Sequence, residues 1–178
     1  MKLIWIGAFV LVVASLASLL ANRQSGKLID ESLTSTSRVL PDTKLSELQR
    51  STPAYTAQIL ARLPEPIRQK FAAKMWQALE LIIFRSLTLW HAAPALFTIL
   101  IVGFLEGSWA RANQKALVKM HSPIRFSLAV MSLGFTPVLA LLWITAPVAV
   151  PATLLVFALG ALGILSTHCL VVHAPTQF

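Results

Sequence analysis

The stretch "LTLWHAAPALFTILIVGFL", Leu87 to Leu105, contains no charged residue and is bracketed by Arg85 and Glu106. The two charges lie 21 positions apart, which is roughly 31 Å of helix at 1.5 Å per residue and close to the thickness of a hydrocarbon core. Folded as a helix, this stretch crosses a membrane. Pro94 inside it predicts a kink.

Three more stretches reach the same length. Leu3 to Ala21 lies behind Lys2, and reads as an uncleaved N-terminal anchor, with a signal peptide as the alternative because small residues such as Ser15 and Ala17 suit a cleavage site. Phe126 to Ala146 contains a second kink candidate, Pro137, and Ala152 to Val172 follows the connection "PVAVP". Pro147 ends one helix there and Pro151 can open the next, so the last two spans form a helical hairpin. The expected fold is all-α: a membrane protein with four transmembrane helices, a helical hairpin at the C-terminus and an amphipathic extramembrane helix. Its parts are an anchor at 1–21, an extramembrane segment at 22–86, and a three-span membrane domain at 87–178.

Composition agrees with a membrane setting. Of 178 residues, 56% are hydrophobic and only 12% charged, against roughly 25% charged in soluble domains. All seven acidic residues and all basic residues except Lys2 fall in two intervals, Asn22 to Ser86 and Glu106 to Arg125. A net charge of +8 would suit a nucleic-acid binder, but cations flanking membrane-length apolar runs record topology and anionic lipid contact instead. Direct nucleic-acid binding is therefore not expected, and the bilayer is the expected partner.

Orientation follows from the short loops. Glu106 to Arg125 carries Arg111, Lys115, Lys119 and Arg125 against Glu106 alone, while Pro147 to Pro151 carries no charge. The basic loop 106–125 is then cytoplasmic. With four spans, both termini are cytoplasmic and 22–86 lies outside, in the periplasm of a bacterial host. Trp5, Trp76, Trp90, Trp109 and Trp143 all fall near span ends or flanks, where interfacial anchors sit.

The extramembrane segment has two parts. Asn22 to Thr52 is rich in Ser, Thr and charge, which suggests a loose linker with one short helix around Lys44 to Arg50. After "LPEP", Ile67, Phe71, Met75, Leu79 and Ile82 share one helical face. That helix either lies on the bilayer, packs on the protein's own spans, or runs on into the span at Leu87.

Chemistry-bearing residues are few. His91 and Glu106 are the intramembrane polar candidates, since an ionisable group in lipid must be paired or be functional; both lie near span ends, from which a side chain can reach the interface. His168 and His173 are five apart and point to different helix faces, and Cys169 is the single cysteine, so no metal site and no disulfide framework is expected. Before Pro123, Ser122 can cap a helix, giving "HSP" after His121 a structural job. No nucleophile elbow, metalloprotease helix or phosphate-binding glycine loop occurs, so neither enzyme activity nor a cofactor is expected. Gly103 and Gly107 form G-x-x-x-G, and Ala158, Gly160, Ala161 and Gly163 a smooth patch; both suit close helix packing, within the chain or with another membrane protein.

From about Met75 onward the chain resembles a family of integral membrane proteins encoded by conjugative plasmids and integrative conjugative elements. The resemblance rests on the order of spans, on Glu106, Gly107 and Arg111, on the basic loop ending near "HSP", and on the closing hairpin. It implies a structural or assembly role in the inner membrane, in a conjugative, type IV secretion-like apparatus, with other membrane proteins of that complex as partners. The alternative is a small transporter or channel-like subunit, which would need His91 to meet another polar group in a hydrated cavity and the kinks at Pro94 and Pro137 to face one another.

Overall fold

The computed structural model describes residues 2–21, 25–62, 64–116 and 122–174. Among them all regular structure is helical: α1 (Lys2–Ala21), α2 (Ser25–Thr36), α3 (Asp42–Ala61), α4 (Glu65–Ala116), α5 (Pro123–Thr145) and α6 (Ala152–Val172). Among the described residues, three helices are long and apolar enough to cross a membrane: α4 over Trp76–Asn113, α5, and α6. The expected four-span count is thus corrected to three. In α1, the apolar stretch among the described side chains is Ile6–Leu19.

Two compact units divide the chain, Met1–Ala92 with Ala140–Leu155, and Ala93–Leu139 with Val156–Phe178. In the first unit, α4 is the central support. Its residues Ala78, Leu81, Phe84, Arg85, Thr88 and Ala92 are buried at intervals of three and four, the repeat that lines one face of a helix. Ala78 and Leu81 meet Leu19 of α1 and Leu28 of α2, with Ile29, Ile82 and Ala149 packed around them. Phe84 meets Leu40 and Leu48, with Leu33 and Leu87 alongside. Each such leucine, fully buried, contributes about 2 kcal/mol of hydrophobic stabilisation.

This packing corrects the expectation of a loose linker over Asn22 to Thr52. The threonine hydroxyls there and just beyond return to their own helix: Thr36 Oγ1 donates to Ser32 O at 2.7 Å, Thr52 Oγ1 to Leu48 O at 2.7 Å and Thr56 Oγ1 to Thr52 O at 2.9 Å. A hydroxyl paired in this way can be buried without leaving a donor unmatched. Leu48, Thr52, Thr56 and Leu60 accordingly form a buried stripe on α3, at four-residue intervals on one face. Asp42 sits in the first turn of α3, where the helix dipole favours a negative charge.

The amphipathic helix after "LPEP" runs on into the span at Leu87 as one helix, α4. The side chains of Ile67, Phe71 and Met75 lie outside the described residues. The interval Glu106 to Arg125 is mostly helical rather than a loop, because α4 continues to Ala116 and α5 begins at Pro123. Phe126 N donates to Ser122 O at 3.1 Å, closing the first turn of α5.

Candidate functional site

The most concentrated polar arrangement lies where α5 gives way to α6. A helix leaves its last carbonyls without intrahelical partners, and the connection that follows α5 contains Pro147 and Pro151, which have no N–H to offer. The turn is therefore rich in acceptors and poor in donors. α4 supplies the missing donors through one side chain. Nη1 of Arg85 donates to Trp143 O at 2.8 Å and to Ala146 O at 2.7 Å, with a longer contact of 3.5 Å to Ile144 O. Nη2 donates to Val148 O at 2.9 Å. The guanidinium also stacks over the Trp143 ring, 5.3 Å from its centroid.

Arg85 is 0% exposed, and none of its partners among the described residues is a carboxylate. The charge is balanced by carbonyl dipoles and by the negative end of α5, a role that favours a cation at a helix C-terminus. The planar fork suits arginine because it spreads donors over several carbonyls at once, whereas a lysine ammonium is a point charge. Nε is buried without a hydrogen-bond partner.

Two further ties converge on the same turn. Ser15 Oγ of α1 donates to Thr145 O at 3.1 Å. Ala152 N, one of the orphan amides at the start of α6, donates to Ser35 Oγ of α2 at 3.4 Å, an N-terminal cap supplied by another helix. Trp143 closes the turn from within, its Nε1 donating to Val150 O at 2.9 Å. At 4% exposure Trp143 is a core residue, which corrects its assignment as an interfacial anchor. Trp90 and Trp109, in contrast, are 76% and 71% exposed.

In the second unit, the glycines bring α4 and α6 together. A Cβ at Gly103 would strike Thr167 Oγ1 and come within 2.9 Å of Ile164 O; one at Gly107 would lie 3.0 Å from His168 O. These are backbone approaches that only a missing side chain allows. At Gly160 and Gly163 the neighbours are side-chain tips, Ile99 Cδ1 at 3.2 Å and Leu100 Cδ2 at 2.9 Å. The G-x-x-x-G pattern thus works inside the chain. Nearby, Arg111 Nη1 donates to Val171 O at 3.2 Å, so a second arginine of α4 meets the C-terminal carbonyls of a helix.

The remaining sequence-predicted residues are scattered. His91 Nδ1 lies 2.8 Å from Leu87 O of its own helix, so this bond adds no partner from another helix of the kind a transport site would need. Glu106 and Arg125 are exposed, while the side chains of Lys115 and Lys119 lie outside the described residues, as does His121. His168 Nδ1 is buried without a hydrogen-bond partner. No group of three or more metal-ligating side chains occurs among the described residues. An open groove of about 590 Å³ on α3 is lined by Ser46, Glu47, Arg50 and Ser51, and there Glu47 is paired with Lys44 at 3.1 Å.

Sequence reading used Arg85 only to mark the end of a span. The usable signal was the absence of any basic residue in the last turn of α5 followed by a turn with two prolines, which leaves carbonyls that some other helix must satisfy.

A family model described as IncC plasmid conjugative DNA transfer protein DtrJ-like matches residues 27–173. The chain belongs to the DtrJ-like family. The match bears out the resemblance to proteins of conjugative plasmids and extends it upstream of Met75, through α2 and α3. No curated protein and no solved structure matches the chain. Arg85, the hairpin turn and the glycine crossing all fall inside the DtrJ-like region.

Proposed function

We propose that this DtrJ-like protein is a structural or assembly component in the bacterial inner membrane, within a type IV secretion-like apparatus for conjugative DNA transfer, and that it is not an enzyme. The observation that carries the reading is the family match over 27–173, to proteins described by conjugative DNA transfer. The arrangement of polar groups supports it. Arg85 and Arg111 donate to backbone carbonyls of Trp143, Ala146, Val148 and Val171, a role in holding the fold together.

The bilayer supports a register for α4. Trp90 and Trp109, both exposed, are separated by about 28 Å of helix rise and would mark the two interfaces. Between them Phe97, Ile101 and Phe104 are exposed apolar residues suited to acyl chains. Arg111, Lys115, Lys119 and Arg125 favour a cytoplasmic location for the connection between α4 and α5. With three spans, the C-terminus then follows α6 to the cytoplasmic side, and the arm formed by α1 to α3 stays on the opposite side. Other membrane proteins of the transfer complex are the expected partners.

Deleting the gene from a donor strain, and restoring it in trans, tests the role. Transfer frequency should fall on deletion and recover on complementation, and affinity capture of the tagged chain from solubilised donor membranes should recover transfer-complex proteins. Unchanged transfer in the deletion strain refutes the proposal.

A further inference from the structure

The junction at the α5–α6 turn joins three elements that are distant in sequence. Arg85 reaches carbonyls 58 to 63 positions away, Ser15 reaches across 130, and Ser35 across 117. The ties are unequal. α1 and α2 each contribute one hydrogen bond to the turn, the second a long one of 3.4 Å. Arg85 contributes three bonds of 2.9 Å or less together with the stack on Trp143.

Without Arg85 the carbonyl of Ala146 would lose its guanidinium donor, Trp143 O would keep only the long bond from Ala146 N at 3.4 Å, and Val148 O would keep Val150 N at 3.0 Å, in a turn flanked by the buried Trp143, Thr145, Ala152 and Leu155. Buried acceptors without donors draw in water. Hydrating Ala146 O and the space left by the guanidinium moves the turn, and Ala152 N and Thr145 O, whose hydrogen bonds add to the apolar docking of α1 and α2 on α4, belong to the same short segment. A turn that moves to be hydrated carries both of those attachments with it.

We propose that Arg85 is a clasp: with the guanidinium seated in the turn, α1 and α2 are tied to the hairpin, and without it the turn opens and both helices lose that attachment together. The device is conformational and lies outside the chemistry of any transported or bound molecule. It makes Arg85 a positioning residue for α1 and α2, although its hydrogen bonds go to neither Ser15 nor Ser35.

The test uses the full chain in lipid nanodiscs, comparing wild type with Arg85→Gln and Arg85→Lys by amide hydrogen exchange. In Arg85→Gln, exchange should rise about tenfold or more across 146–155 and, together with it, across α2, while 103–111 and 163–171 at the glycine crossing keep wild-type rates. A Ser15→Cys/Thr145→Cys pair should form a disulfide with Arg85 present and lose most of that yield in Arg85→Gln. Arg85→Lys keeps the charge but spreads fewer donors, so it should fall between the two, and it carries the test if Arg85→Gln does not accumulate. A rise confined to the turn, no rise at all, a rise that includes the glycine crossing, or a lysine variant that matches wild type in both segments would each overturn the clasp.

Discussion

Replacing Gly103 by alanine adds a single methyl group, and the structure states what that methyl meets. It would strike Thr167 Oγ1 and approach Ile164 O and Cα to 2.9 and 3.0 Å. The first neighbour can rotate away, but Thr167 Oγ1 would give up its 2.8 Å bond to Gly163 O. The others are backbone, so α4 and α6 must separate. Overpacking of this kind costs about 1–3 kcal/mol, and alanine in place of glycine returns up to about 1 kcal/mol of helix propensity. The net loss should be about 1–2 kcal/mol for Gly103→Ala and similar for Gly107→Ala, whose nearest neighbours at 3.0 Å are His168 O and Val171 Cβ. At Gly160 and Gly163 the methyl would meet the ends of Ile99 and Leu100, which can turn aside, so these variants should lose less. Gly7 provides the control: nothing lies within 4 Å of its Cβ position, and Gly7→Ala should be neutral or slightly stabilising. Reversible unfolding in mixed micelles, with increasing mole fraction of sodium dodecyl sulfate, gives the ranking. If Gly103→Ala and Gly107→Ala are as stable as Gly7→Ala, the close crossing of α4 and α6 is not what these glycines provide.

Other outcomes follow from the same packing and polarity. Leu48→Ala removes a side chain buried against Leu40 and Phe84 and should cost about 2–4 kcal/mol in the same unfolding assay. Arg111→Ala frees Val171 O and should cost only about 0.5–1.5 kcal/mol, read out as faster amide exchange confined to the last turn of α6. Labelling of single cysteines with a membrane-impermeant maleimide in intact cells should modify position 55 and spare position 115; the reverse pattern would invert the proposed topology.

Helices long and apolar enough to cross a membrane were the most readable from sequence, three of the four expected being found among the described residues, because a helix in lipid has to be apolar over a fixed length. The hairpin was visible in Pro147 and Pro151, and the α4–α6 crossing in the spacing of Gly103 and Gly107. The arm was misread for a physical reason. Ser, Thr and charge over Asn22 to Thr52 resemble a linker by composition, but Thr36, Thr52 and Thr56 satisfy their own hydroxyls within the helix and so pack as small core residues. Arg85 was read as a boundary marker because its meaning depends on carbonyls 58 to 63 residues further on. No periodicity in α4 reports what a distant turn lacks. Trp143 was misplaced on the same grounds, since a tryptophan at a span end looks alike whether it faces lipid or lies beneath a guanidinium.

One helix, α4, carries Gly103, Gly107 and Arg111 against α6, and that sets a limit on how this crossing can vary in length. Each residue inserted between Gly103 and Arg111 turns the downstream part by about 100° and shifts it by about 1.5 Å relative to the upstream part. A single insertion after Gly107 would point Arg111 away from the face that the glycines share with α6. The eight-residue interval from Gly103 to Arg111 therefore behaves as a fixed ruler, intolerant of insertion or deletion though tolerant of apolar exchange on its exposed side.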